Sequence, residues 1–230
     1  MKRLLSFILS IVAQVSHGQT KIIQVPVYRD KDTTLWYILT KENLQKIGLQ
    51  DLTTSTQPLH FRFWTERQVV DIWTTDNKTF EGNFISYTKE YDPDKYKTDK
   101  PKPEKFYSKV DHIDTAVARQ LYEFLQAQRL FEVPFQDSIK GWSNGTDGDT
   151  YLVEFATPTN YSFKDYWTPQ IQKGISEAAI IDTVYKYLKV ALNFNGAWST
   201  FINRLPKGCY HAGSLFITCN DKKPKKKNRS

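Results

Sequence analysis

Between positions 59 and 91 apolar and polar residues alternate with a period of two, the mark of strands with one buried face. Phe61 and Phe63 alternate with His60, Arg62 and Trp64, so the segment from His60 to Thr65 has one apolar and one amphipathic face. Gln68 to Thr74 and Thr79 to Tyr91 continue the meander, with turn chemistry at Asp76-Asn77. A parity break beside Gly82 predicts a bulge or a strand covered on both faces. Upstream, Ile22 to Tyr28 is strand-like, with Pro26 marking an edge strand or a strand end, and Thr34 to Leu39 reads as a second strand. Lys41 to Leu49 is expected to form one or two helical turns.

Beyond Lys105 the period changes. Ile113, Val117, Leu121, Phe124 and Leu125 mark one stripe of a helix capped by Ser108 or Asp111 and running to Gln128. A strand is expected at Ile139 to Trp142, followed by turn-rich Ser143 to Asp149. Strands follow at Thr150 to Ala156, with Tyr151, Val153 and Phe155 opposite in parity to Leu152 and Glu154, and at Tyr161 to Trp167. Ile181, Val184, Leu188 and Ala191 predict a helix from Ser176 to Asn193, stopped by Asn195-Gly196, and a short helix spans Trp198 to Asn203. Hairpin-connected strands interrupted by helices predict an α+β fold: antiparallel β-meander and hairpins, with two main helices packed on one face. There is no internal repeat.

The segment 92–105 fits neither pattern. Nine of its fourteen residues are charged and Pro93, Pro101 and Pro103 punctuate it, so a loop or linker is expected. It separates a β-rich part, 19–91, from an α+β part, 106–220; one domain with a protruding loop is favoured slightly over two.

The first eighteen residues carry an address. Lys2 and Arg3 precede a short apolar run from Leu4 to Val12, and small residues follow at Ser16 and Gly18, the order of a secretory signal peptide cleaved after Gly18. The apolar run is short for a membrane span, and no further transmembrane segment is expected. An extracytoplasmic location, periplasmic or secreted, follows. There, Cys209 and Cys219 are expected to be bridged across a hairpin turned by Gly213 and Ser214, closing the fold with a disulfide staple.

Charge adds less than the net of +7 suggests. Lys2 and Arg3 leave with the signal, and the tail 221–230 carries six cations against Asp221. Acidic and basic residues are then equal in number over 19–220, unlike a nucleic-acid-binding domain. The tail is expected to be solvated and unstructured, with acidic surfaces as its one plausible contact.

The candidate chemistry is sparse. Asp147, Asp149 and Glu154, beside Trp142, offer acid and base groups for a hydrolase. An EF-hand alignment puts Gly148 at loop position 6 and Glu154 at position 12, but leaves Ser143 and Gly145 where ligands belong. Asn144-Gly145 and Asp147-Gly148 also suit a tight turn without any site. His60, His112 and His211 are far apart, with His112 expected on a helical first turn, and no metal site or cofactor is indicated. Sequons at Asn77, Asn144, Asn160 and Asn228 matter only in a eukaryotic secretory pathway. Aromatic residues make up 14% of the chain. Exposed indoles would stack on sugars or anchor a protein, and Trp64 and Trp73, with Trp142, are the candidates. The leading expectation is a non-enzymatic extracytoplasmic domain binding a protein or glycan through aromatics on its sheet. A carboxylate-dependent hydrolase and a structural envelope protein are the alternatives.

Overall fold

The computed structural model describes residues 20–28, 32–94, 97, 103–213 and 216–221. The signal peptide and all of the basic tail but Asp221 lie outside the described residues. The fold is α+β. Its centre is a seven-stranded sheet in the order β1-β9-β8-β4-β5-β6-β7, built from β1 (Ile22–Gln24), β4 (Leu59–Trp64), β5 (Gln68–Thr74), β6 (Phe80–Lys89), β7 (Phe106–Ile113), β8 (Thr150–Ala156) and β9 (Asn160–Trp167). Only the pairing of β1 with β9 is parallel. A small ribbon, β2 (Val27–Tyr28) with β3 (Asp32–Thr33), precedes helix α1 (Leu35–Lys46).

Alternation sorts the sheet's side chains. Phe61, Phe63, Val70, Ile72 and Val153 pack with Leu121 and Leu125 of α2 (Thr115–Ala127) and with Ile181, Val184 and Leu188 of α3 (Ser176–Ala191). These two helices cover one face, as their apolar stripes require. The other face carries Trp64, Val69, Ile85, Leu152, Tyr161 and Phe163, covered by Leu44 of α1, by Ile47 just past its end and by Leu52. Strands from both sides of 92–105 interleave in the sheet, and that segment connects the adjacent antiparallel strands β6 and β7, with Glu90 N–H donating to Lys105 O at its base.

Several local expectations are corrected. Thr34 to Leu39 is not a strand: the helix begins at Leu35, and Tyr37, Thr40 and Leu44 form its inward stripe, continued by Ile47 at its C-terminal cap. Leu35, Trp36, Ile38 and Leu39 stay exposed, which hid the helical period. The residues 106–113 are an edge strand, so His112 lies in β7 and Asp114 caps α2 by accepting from Ala116 N–H at 2.8 Å. The segment from Ile139 to Trp142 turns rather than extends, with Gly141 at φ 87°. Asn193, left-handed at φ 46°, ends α3 and caps α4 (Phe194–Ile202), so Asn195-Gly196 lies inside a helix. Gly82 sits in an unbroken register against Ile72 and Ile113. A Cβ there would lie 3.1 Å from Asp71 O and 3.3 Å from Ile113 Cδ1, so the glycine permits close approach, not a bulge.

The chain closes with β10 (Gly208–His211) and β11 (Ile217–Asn220), where Cys209 and Cys219 face each other and form the disulfide. The hairpin is tied to the body: Tyr91 N–H donates to Cys209 O, Thr88 Oγ1 to His211 O, and Asn220 Nδ2 to the carbonyls of Ile202 and Leu205. Tyr210 packs beside Trp198 and Phe201 of α4. Among the described residues no helix is long and apolar enough to cross a membrane.

Candidate functional site

On the sheet face under α1, Arg62 stands opposite Asp71 on β5 and opposite Glu154 on β8. Equal parity points all three side chains to the same face, so strand register alone places a guanidinium between two carboxylates. Arg62 Nε donates to Asp71 Oδ1 at 2.8 Å and Nη1 to Gln50 O at 2.7 Å, while Nη1 stands 3.9 Å from Glu154 Oε2. Glu154 accepts from Trp64 Nε1 at 2.7 Å and from Tyr161 Oη at 2.8 Å. Arg62, Asp71 and Glu154 are 1%, 3% and 0% exposed. Burial by itself would raise the Asp71 carboxyl, but the Arg62 charge and the His60 hydrogen bond hold it below its usual range. Burial, then the Glu154 carboxylate, pushes the Tyr161 hydroxyl upward, so it stays a donor.

His60 extends the network, with Nε2 at 2.8 Å from Asp71 Oδ1 and Nδ1 at 3.4 Å from Ser55 Oγ. Serine, histidine and aspartate thus occur in the order of a nucleophilic relay. Ser55, His60 and Asp71 are all buried and line neither of the two clefts described below, and Ser55 Oγ also accepts from Gln57 N–H. A substrate carbonyl has no route to that hydroxyl. The network instead fixes the strands and, through Glu154, the indole of Trp64.

That indole forms part of the floor of a cleft of about 590 Å³ between α1, the sheet and the disulfide hairpin, within the range of small-ligand sites. Trp36 and Leu39 of α1 form one wall, Phe106 and the hairpin residue His211 the other, and Tyr87 and Thr150 complete the base. Trp36 is 38% exposed, whereas Trp64 is almost wholly covered. Thr150 is buried, and its hydroxyl has no hydrogen-bond partner among the described residues. Its oxygen has essentially no accessible surface, so it is a cost to the fold and not a group offered to the cleft. A second cleft, of about 310 Å³, shares Thr65 and Glu66 as a wall with the first and extends past Asp149 and Tyr185.

The carboxylates Asp147, Asp149 and Glu154 are not brought together. Asp147 and Asp149 are exposed in the loop before β8, while Glu154 is sealed on the inner face by Trp64 and Tyr161. Asp149 lines the smaller of these two clefts, and Asp147 and Glu154 line neither. Trp64 and Trp73 are also apart: Trp73 pairs with His60 toward the other end of the sheet, its ring 5.7 Å from the imidazole. Trp142 is half-buried against Tyr166. The loop around it is held by packing, since a Cβ on Gly145 would lie 2.5 Å from the Trp167 ring. Sequence reasoning missed Trp36, Tyr87, Phe106 and Thr150. The clustered apolar residues Leu35, Trp36, Ile38 and Leu39 were the available signal for the first.

The α1 wall rests on an unfavourable carboxyl. Asp165 lies beside Thr34, whose hydroxyl donates to it, and burial followed by the nearby Asp137 raises its pKa to about 6. The folded state therefore binds this proton more tightly than the unfolded chain, near 3.8. That stabilisation is complete below about pH 4 and is lost as pH rises through 6. Asp165→Asn is expected to stabilise the fold by about 1–3 kcal/mol at pH 7 and by little at pH 3.5. Urea unfolding at the two pH values checks this, and an equal effect at both would refute the linkage.

No protein-family model matches the chain, and no curated protein matches it either.

Proposed function

We propose that this protein is an exported, non-enzymatic domain that binds a protein or glycan in the cleft between α1 and its sheet. The observation that carries the reading is the cleft itself: aromatic surface from Trp36, Tyr87 and Phe106 with the polar side chains of Glu42 and Asn43 in the same lining. An apolar floor with a few convergent polar groups is the ordinary make-up of a ligand site. The disulfide supports an oxidising, extracytoplasmic compartment. For export, the intact mass of the native protein is expected to match a chain starting at Gln19 without free thiols; retention of Met1 to Gly18 would count against it.

Binding is tested with Trp36→Ala, which removes a partly exposed ring and leaves the core intact. Immobilised protein is exposed to defined protein and glycan fractions of the host envelope, and retention by surface plasmon resonance is expected to fall at least tenfold in the variant. Equal retention by both proteins overturns the site.

A further inference from the structure

We infer that the free edge of β7 is a self-association surface, on which a second copy of this chain adds its own β7 antiparallel about a two-fold axis at Val110. Of the sheet's two edges only one is blunted. β1 ends the sheet with three residues, Ile22–Gln24, a short edge of the kind that resists pairing. β7 ends it with eight, Phe106–Ile113, without proline and in unbroken register against β6.

The ladder decides which backbone groups that edge offers. Glu90 N–H donates to Lys105 O at the base of the β6–β7 pair, so Tyr107, Lys109, Asp111 and Ile113 turn their N–H and C=O groups to β6. The backbone groups of Ser108, Val110 and His112 therefore point away from the sheet, and among the described residues none hydrogen-bonds to them. All three residues are exposed, Val110 at 54%. A second β7 added there must set even-numbered positions opposite even-numbered positions.

Charge then selects one register. With Val110 opposite the partner's Val110, Lys109 stands opposite the partner's Asp111 and Asp111 opposite the partner's Lys109, all on one face. On the other face the two valines meet, and Ser108 stands opposite the partner's His112. Moving the axis to position 109 sets Lys109 on the partner's Lys109, and moving it to 111 sets Asp111 on the partner's Asp111. Like charges directly opposite disfavour both slips. Lys109 already bridges Asp111 within the strand, Nζ lying 2.6 Å from Oδ2, so pairing joins two such bridges into one cluster of alternating charge. The edge is thus complementary to itself, as a two-fold interface requires. An arbitrary extended peptide would meet the same backbone groups without the matched pair of charges.

The mature protein is followed by sedimentation equilibrium over a range of concentrations, with hydrogen exchange read at the amides of Ser108, Val110 and His112. One paired edge is a small interface, so a reversible dimer with a Kd on the order of 10–100 µM is expected, with those amides slowing as concentration rises. Lys109→Glu sets a carboxylate opposite the partner's Asp111 twice over and is expected to weaken the dimer about tenfold or more. Lys109→Asp combined with Asp111→Lys restores opposite charges across the axis and is expected to return the Kd to within about threefold of wild type. Melting temperatures of the variants at low concentration show that the monomer is intact. A dimer that neither variant alters overturns the location. A dimer lost in the single variant and not recovered in the exchange overturns the register. A monomer at every concentration overturns self-pairing, and amides then protected by a pool of uncharged dodecapeptides assign the edge to a foreign strand instead.

Discussion

Arg62→Ala is expected to lower the unfolding free energy by about 3–5 kcal/mol, the cost of breaking a buried ion network by removing one member. The variant leaves Asp71 and Glu154, both fully buried, without the guanidinium that stands between them, and leaves Gln50 O without its donor. Water cannot reach those carboxylates without opening the sheet face. They must remain charged in a poor medium or take up protons, and either course favours the unfolded chain. For a chain of this length the melting temperature is expected to fall by roughly 6–20 °C. Glu154→Gln provides the graded comparison. It keeps a carbonyl acceptor for Trp64 or Tyr161 and removes one buried charge, so a smaller loss of about 1–2 kcal/mol is expected. Denaturant titration of both variants at pH 7 measures the difference. A loss below 1 kcal/mol for Arg62→Ala would show that the network carries little of the fold's stability.

The paired substitution Cys209→Ser and Cys219→Ser is expected to cost about 3 kcal/mol, from the conformational freedom regained by a short loop in the unfolded chain. The loss appears in global unfolding because the hairpin is tied to the body by Thr88, Tyr91 and Asn220 and by the packing of Tyr210 on α4. A freely hinged hairpin would instead open locally and leave the main transition unmoved. The same hairpin supplies His211 and Gly213 to the larger cleft, so ligand affinity is expected to fall together with stability. Thermal unfolding with and without reductant, checked by hydrogen exchange at β10 and β11, tests this. A melting temperature unchanged by reduction would assign the bridge a local role only.

The sequence by itself determined the features that depend on near neighbours in the chain. Alternation at positions 60–64 and 150–156 marked two strands with opposite faces, and the spacing of Ile181, Val184 and Leu188 marked a helix that packs on one of them. Two cysteines ten positions apart in a hairpin pattern indicated the staple, although Ser214, expected in its turn, lies outside the described residues. Where local pattern misled, a tertiary contact had replaced it: α1 keeps Leu35, Trp36, Ile38 and Leu39 outside, with Trp36 and Leu39 against the cleft, and the polar edge strand β7 is held by β6 rather than by an apolar face of its own. Trp64 and Glu154 were each singled out for reasons that had nothing to do with one another, an indole for a ligand and a carboxylate for catalysis. Only the register of β4 between β5 and β8 joined them, because pairing positions 62, 71 and 154 is a choice among strand orders that periodicity does not encode. The cleft belongs to the same tertiary level: its walls come from a helix, three interior strands, the start of the edge strand β7 and a hairpin far apart in the chain, and their joint burial decides which hydroxyl is left without a partner.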